Sequence, residues 1–235
     1  MKVVILAAGE GKRMLPLTLK IPKPLLRIGD RTILDYIFEA LPTEIDHAIL
    51  VVGYLKKKIQ QHVGNRFQGR SIRYVTQDIL NGSATALLCC RDLFLPHERF
   101  LIIYGDEMPT KKEIIDCLRH DYSWLCCPAD NPRQSGIATI GPDGNIKEVI
   151  EKPDKPVSDL SAAGIMVVNS DIFNYVPAQH SNGEYYLTSL MNQFTARHQV
   201  QAVFGHKRPA FVSPDELGKI SFGQYQVLAK EIFKQ

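Results

Sequence analysis

Through the first half of the chain, short apolar runs alternate with stretches of helical spacing. Val3-Val4-Ile5-Leu6 is a continuous apolar run that passes into Ala7 and Ala8. It predicts a strand over 2–8, covered on both faces. Ile33, Ile37, Phe38 and Leu41 recur near helical spacing and predict a helix over 32–41, with Thr32 as a possible N-cap. The same pattern predicts strands over 47–52, 72–76 and 100–104, and helices over 55–63, 83–94 and 111–118, with Ser83 a plausible cap. This β-α-β-α order predicts an α/β fold, a Rossmann-like three-layer sandwich with a mostly parallel mixed sheet and helices on both faces.

The pattern changes after residue 130. Ile137 to Ile140 and Ile146 to Ile150, separated by the turn residues Pro142-Asp143-Gly144-Asn145, predict a hairpin. A strand over 162–168, helices over 170–175 and 187–198, a strand over 201–204 and a C-terminal helix over 224–233 follow. No internal repeat, low-complexity tract or linker interrupts the chain. The expectation is one domain over 1–235, with 1–130 and 131–235 as its two halves.

Composition narrows the class. Hydrophobic residues make up 45% of 235 residues, enough for a sizeable core. A net charge of +3 is too mild to argue for nucleic acid as a partner. Lys56-Lys57-Lys58 reads as a solvated helix face. Five cysteines, two pairs of them adjacent and none in C-x-x-C spacing, suggest neither a zinc site nor a disulfide framework, and fit a reducing cytoplasm. Met1-Lys2 leads straight into the first strand, so no signal peptide is expected, and no apolar run is long enough to span a bilayer.

The chemistry concentrates where the first strand ends. Ala7, Ala8, Gly9 and Gly11 project nothing beyond a methyl group, so a backbone can come close to a ligand. Lys12 and Arg13 adjoin them, and Lys23 stands between Pro22 and Pro24. Close backbone approach with concentrated cations suits a polyphosphate. A Walker A loop is excluded, because Gly11-Lys12 is followed by Arg13 rather than Ser or Thr. A Rossmann dinucleotide fingerprint is excluded, because its third glycine would fall at Met14. Taken alone, the segment also reads as a basic surface turn.

The run Leu6-Ala7-Ala8-Gly9-x-Gly11-x-Arg13, then Pro16-Leu17-Thr18 and Pro22-Lys23-Pro24-Leu25, resembles the N-terminal motif of the sugar-phosphate nucleotidylyltransferases. Members of that family usually have Thr or a small polar residue where Lys12 stands. The resemblance implies a nucleotide-diphospho-sugar transferase (GT-A-like) fold. It implies nucleotide contacts from Leu6, Ala7, Ala8, Gly9, Gly11, Lys12 and Arg13. Arg13 is expected on the triphosphate and the departing pyrophosphate, and Lys23 between the α-phosphate and the incoming sugar phosphate. Tyr104-Gly105-Asp106 matches the Gly-Asp motif that holds Mg2+, which makes Asp106 the implied metal ligand; its competing role is to cap the next helix.

Gln77 and Gly82-Ser83-Ala84 match the family positions that meet the base. A glutamine amide can pair with a base edge, and Gln77 leans toward pyrimidines, UTP or dTTP, with GTP or CTP possible. Gln77 alone also reads as a solvated loop residue. Glu151-Lys152-Pro153, Gly136 and Gly164 match positions around the sugar and its phosphate. Glu184 fits a less specific position, with helix capping as its alternative. The resemblance weakens toward the C-terminus. A second metal ligand is expected near Gly218 to Phe222, where no acid or amide stands; Asp215 and Glu216 lie upstream. The hexapeptide repeats of some members' C-terminal β-helix are not found, so a short form is expected.

The implied substrates are a nucleoside triphosphate and a sugar 1-phosphate, handled by a monomer or small homo-oligomer with no membrane partner. Three rival readings share the fold: a nucleotide-binding regulatory module, a transferase acting on an alcohol phosphate such as phosphocholine, and a glycosyltransferase. The last usually relies on an Asp-x-Asp motif, which this sequence lacks.

Overall fold

The computed structural model describes residues 1–207 with 213 and 214. The chain runs through β1 (Lys2–Ala7), the small hairpin β2 (Arg27–Ile28) and β3 (Arg31–Thr32), and α1 (Ile33–Ala40). β4 (His47–Val52), α2 (Lys56–Val63), β5 (Arg66–Phe67), β6 (Arg70–Thr76) and α3 (Ser83–Leu88) follow. Next come β7 (Arg99–Tyr104), α4 (Lys111–Leu118), β8 (Ser123–Pro128), β9 (Gly136–Ile140) and β10 (Ile146–Glu151). β11 (Leu160–Asn169), α5 (Leu187–Thr195) and β12 (Gln201–Phe204) end the described chain.

One sheet runs in the order β10-β9-β11-β7-β1-β4-β6-β5, with β8 pairing β11 and β12. β1 is parallel to both β4 and β7, and β4 is parallel to β6. β11 joins β7 antiparallel, so the sheet is mixed and unites the two halves of the sequence. From β1 the chain moves outward on one side to β4 and β6, then returns to place β7 on the other side of β1. The carboxyl ends of β1 and β7 therefore flank a topological switch point, the place where open α/β sheets bind ligands.

The apolar run of β1 is explained by its two covers. Val3, Val4 and Ile5 are fully buried, worth roughly 1.5–3 kcal/mol per side chain. Val3 and Ile5 face Leu34, Phe38 and Ile59 on one side of the sheet. Val4 shares the opposite layer with Leu87, Phe100, Leu190 and Phe194. The period of two along the strand thus separates two helical layers.

Most predicted elements stand within two residues of their expected bounds, and Thr32 caps α1 in a full capping box with Asp35. Lys57 and Lys58 are exposed on α2. The expected helix over 83–94 stops at Leu88 and continues as a 3-10 turn over Arg91–Leu93. There Cys90 is fully buried and Leu93 bonds back to its carbonyl, tightening the chain. Ser83 is the first helical residue rather than the cap, which is Gly82. The segment over 170–175 is a 3-10 helix, begun by the Asn169 side chain accepting from the Asp171 N–H. β8 was not foreseen. Its run Ser123-Trp-Leu-Cys-Cys is buried throughout between β11 and β12, so it shows no alternation and carries no β-branched residue.

All five cysteines are free thiols, and burial pushes Cys90 and Cys126 up to about 12, which keeps them protonated. No helix among the described residues is long and apolar enough to cross a membrane. The expected helix over 224–233 and the expected second metal position near 218–222, with Asp215 and Glu216, lie outside the described residues.

Candidate functional site

A cleft of about 670 Å³ opens at the carboxyl ends of β1 and β7. Leu6, Ala7, Ala8, Gly9, Gly11, Lys12 and Arg13 all line it, as do Lys23, Gln77, Gly82, Ser83, Asp106 and Lys152. Four cations (Lys12, Arg13, Lys23, Lys152) and three carboxylates (Glu10, Asp106, Glu184) share its wall. That charge balance suits a polyanionic ligand accompanied by a cation.

The turn after β1 is shaped by Gly11, which lies in the left-handed region at φ +64°. A Cβ there would meet Thr18 Cγ2 at 3.0 Å and Lys23 Cβ at 3.2 Å. Glycine thus lets the loop close against the Pro22–Pro24 segment. Buried Thr18 secures the closure by donating to the Gly11 carbonyl at 2.9 Å. The prolines around Lys23 restrict its backbone, and a single 3-10 turn over Lys23–Leu25 aims its side chain at the end of β7. Lys23 Nζ then lies 2.5 Å from Asp106 Oδ2.

Asp106 does not cap the next helix. α4 has its own capping box, made by Thr110 and Glu113. Burial opposes ionisation of Asp106, but the Lys23 charge and hydrogen bond and the Arg13 charge outweigh it, so the carboxyl is held below its ordinary range. Lys12 pairs with Glu10 at 2.8 Å, and that hydrogen bond raises its own pKa. Glu184 caps no helix either: the cap position of α5 is Tyr186, which makes no side-chain cap bond, and Glu184 lines the cleft.

Gln77 is a buried wall residue rather than a solvated one, and its Nε2 donates to the Gly82 carbonyl and to Thr85 Oγ1. Ser83 Oγ accepts from the Leu187 N–H at 2.9 Å and from the Tyr104 hydroxyl at 3.3 Å, tying α3 to the start of α5. Burial pushes the Tyr104 phenol up, so it remains neutral. At the other wall, Lys152 donates to the Tyr186 hydroxyl, and its Nζ sits 4.4 Å from that ring's centroid. Asn182 Nδ2 donates to the same hydroxyl at 2.7 Å.

Three expected sugar-site residues lie just behind this wall. Glu151 Oε2 accepts from Thr188 Oγ1 at 2.8 Å, and Gly136 stands beside it, where an added Cβ would lie 3.2 Å from that oxygen. Gly164 packs under the Tyr104 ring, and its N–H donates to Glu107 at 2.6 Å. Sequence reasoning missed Tyr104, Gln134, Asn182 and Tyr186 as cleft residues. The aromatic pair Tyr185-Tyr186 beside Glu184 was the available signal for the last.

Among the described residues, no group of three or more His, Cys, Asp or Glu is assembled to hold a metal through protein ligands alone. Asp106 nevertheless offers carboxylate oxygens of the kind a hard divalent cation prefers. It is ionised, 37% exposed, and set in a wall that would receive phosphate oxygens, which complete such coordination spheres.

Fold and site together define an α/β protein of the nucleotide-sugar transferase architecture, with a glycine-lined, cation-rich cleft at its switch point. The sequence model of the family described as nucleotidyl transferase matches residues 2–208, and the chain belongs to that family. Over 205 residues it is 30% identical to the bifunctional protein GlmU of Methanocaldococcus jannaschii, covering 86% of this chain and 49% of that one. Over 204 residues it is 31% identical to the UTP–glucose-1-phosphate uridylyltransferase AglF of Haloferax volcanii, covering 82% of each chain. The chain spans about half the length of the GlmU relatives it matches. In fold it is similar to a UDP-glucose pyrophosphorylase solved with UDP-glucose, at a TM-score of 0.80 and 21% identity over 96% of this chain and 98% of that one.

Proposed function

We propose that this chain joins a nucleoside triphosphate to a sugar 1-phosphate, forming a nucleoside diphosphate sugar and releasing pyrophosphate. The observation that carries the reading is the Lys23–Asp106 pair inside a glycine-lined cleft at the switch point. In the reaction an oxygen of the sugar phosphate attacks the α-phosphorus in line. One P–O bond forms there, the α–β P–O bond breaks, and its electrons leave with pyrophosphate. No protein nucleophile is needed.

The obstacle is repulsion between anions. Two unit charges about 4 Å apart repel by ~1 kcal/mol in water and ~4 kcal/mol at an effective dielectric near 20. Lys23 neutralises the α-phosphate and the incoming phosphate together. Arg13 and Lys12 serve the β- and γ-phosphates and then pyrophosphate. Lys152 meets the sugar phosphate, with Glu151, Gly136 and Gly164 shaping the sugar side. Ala7, Ala8, Gly9 and Gly11 bring backbone close to the phosphates, and Gln77 with Gly82 and Ser83 meets the base. Positioning and charge stabilisation account for the rate.

Mg2+, held by Asp106 and phosphate oxygens, would supply further neutralisation of the triphosphate. UTP or dTTP is the favoured nucleotide; the uridylyltransferase named among the relatives supports uridine. The test is to incubate the protein with each common triphosphate against a panel of sugar 1-phosphates and alcohol phosphates, following pyrophosphate release. Turnover with UTP or dTTP and a hexose 1-phosphate is expected. Turnover confined to alcohol phosphates, or nucleotide binding with no turnover on any acceptor, overturns the reading.

A further inference from the structure

Asn192 stands half-buried on α5 and faces β10, the outermost strand of the sheet. Its Oδ1 accepts from the Val149 N–H at 2.9 Å, and its Nδ2 donates to the Val149 carbonyl at 2.9 Å. One carboxamide thus closes on both polar groups of one β10 residue, as the peptide unit of a neighbouring strand would. The amide has one workable orientation, because turned over it would set N–H against N–H and oxygen against oxygen. One turn earlier on α5, Thr188 Oγ1 donates to Glu151 Oε2 at 2.8 Å. Positions i and i+4 of a helix lie ~6 Å apart along its axis. Positions i and i+2 of a strand lie ~6.6 Å apart. Thr188 and Asn192 are therefore in step with Glu151 and Val149, the helix and the strand running in opposite directions.

The rest of the hairpin is held elsewhere. Among the described residues, β9 pairs with β11 at one position, Ser161 opposite Ile137. The turn is fastened to the approach of β12, where the Ile146 N–H donates to the Val200 carbonyl at 2.8 Å and the Ala202 N–H to the Gly144 carbonyl at 3.0 Å. Between the turn and the cleft, the register of β10 against β9 shifts between Ile146 and Glu148. A bulge interrupts the ladder, so the turn alone does not dictate where Glu151 and Lys152 fall. The reference comes from α5. The Leu187 N–H at its start donates to Ser83 Oγ at 2.9 Å, which ties the helix to the opposite wall of the cleft.

We propose that Asn192 is a positioning residue for the acceptor substrate. Clipped to the open edge of β10, it sets the register along α5 in which the strand delivers Glu151 and Lys152 to a sugar phosphate. The inference rests on the proposed sugar-side role of those two residues and deepens it. Without the clip, the Val149 N–H and carbonyl each lose a partner, and the strand end is free to shift along the helix.

The experiment compares wild type, Asn192→Leu and Asn192→Asp. Steady-state kinetics varies UTP and glucose 1-phosphate in turn, or the pair that the acceptor panel selects, and hydrogen exchange follows residues 146–152. Leucine fills the same space without polar atoms. Aspartate is isosteric with asparagine but sets an oxygen against the Val149 carbonyl. Both variants are expected to raise KM for the sugar phosphate about tenfold, with KM for the triphosphate changed less than about twofold. Exchange over 146–152 is expected to quicken about tenfold in Asn192→Leu. A role in packing alone would give a near-normal aspartate variant and no split between the two KM values. If neither variant folds, Asn192→Ala removes the clip from a helix that tolerates alanine. A folded variant with the wild-type KM for the sugar phosphate, an equal rise in both KM values, or unchanged exchange in Asn192→Leu overturns the inference. A wild type that turns over no sugar 1-phosphate overturns the parent reading itself, and this inference with it.

Discussion

Lys23 Nζ and Asp106 Oδ2 lie 2.5 Å apart, although 83 positions separate the two residues in sequence. The contact ties the proline-flanked segment after β1 to the end of β7. It also holds opposite charges at the point where two polyanions are proposed to meet. The Lys23 side chain is only 13% exposed, so its ammonium is held in the wall and is not free to sweep solvent. An ammonium fixed this way is preorganised for a phosphate, which is where electrostatic catalysis is strongest.

Removing that ammonium tests the arrangement directly. Lys23→Ala is expected to lower turnover at least about a hundredfold, the scale seen when one preorganised charge partner of a transition state is deleted. The fold should persist, because Lys23 packs at the cleft wall and not in either apolar layer. Pyrophosphate release and a thermal melt read the two effects separately. Near-normal release from a folded variant refutes the role given to Lys23.

Asp106 makes a matching claim about metal. Asp106→Ala is expected to lose the response of turnover to added Mg2+ while retaining nucleotide binding through Lys12 and Arg13. Titrating magnesium against activity for both proteins measures it. Wild-type activity that is unchanged in excess chelator removes the metal from the reaction.

The capping box of α1 offers a test of stability and its pH dependence. Asp35 accepts from the Thr32 N–H at 2.7 Å and lies 2.8 Å from His62 Nε2. Burial pushes the Asp35 pKa up, but the Thr32 and His62 hydrogen bonds prevail and the carboxyl is held below its ordinary value. A depressed native pKa stabilises the fold above the unfolded value of about 3.9, and that stability is lost as pH falls through the native value. Asp35→Ala is therefore expected to cost about 1 kcal/mol at neutral pH. The difference from wild type should shrink below about pH 4. Urea melts at pH 7 and pH 3 read both limbs; a constant difference contradicts the assignment.

Gly82 carries a stricter steric demand. It lies at φ +136°, and a Cβ there would fall 2.2 Å from the Tyr185 carbonyl oxygen. The contact is backbone against backbone, since Ala84 N–H and Tyr185 N–H bond across the same junction. No side-chain rotation can relieve it. Gly82→Ala is expected to destabilise by at least ~2 kcal/mol and to weaken nucleotide binding as α3 moves away from α5. A variant with an unchanged melting temperature would show that the junction can open freely.

The sequence made the parallel half of the sheet legible because its strands are short apolar runs separated by helices with recognisable caps such as Thr32. It concealed β8, whose two buried faces erase alternation, and the break after Leu88, where Cys90 is buried in the same apolar layer as Leu87. In the cleft, Arg13, Lys23 and Asp106 were nameable because charge beside glycine or proline is conspicuous. The partners of Lys152 were not, since Asn182 and Tyr186 approach it only through the tertiary path that brings the segment before α5 across from β10.

The Lys152–Tyr186 contact bears on how the acceptor phosphate is held. Lys152 takes a left-handed backbone at φ +47°, which for a side-chain-bearing residue costs about 1–3 kcal/mol and persists only where the surroundings impose it. Its N–H donates to the Ser135 carbonyl at 3.0 Å, and its ammonium meets the hydroxyl and ring of Tyr186. Those contacts hold the cation at the cleft wall. Tyr186→Phe keeps the ring, and with it a cation–π attraction of about 0.5–2 kcal/mol, but removes the oxygen that also accepts from Asn182. Lys152 should then be less well placed for a phosphate while the nucleotide side is untouched. KM for the sugar phosphate is expected to rise about five- to tenfold, matching the loss of roughly one hydrogen bond, with KM for the triphosphate changed less than about twofold. Steady-state kinetics with each substrate varied in turn separates the two. A rise confined to KM for the triphosphate would place Lys152 there instead and reverse the division of labour between the cations of the cleft.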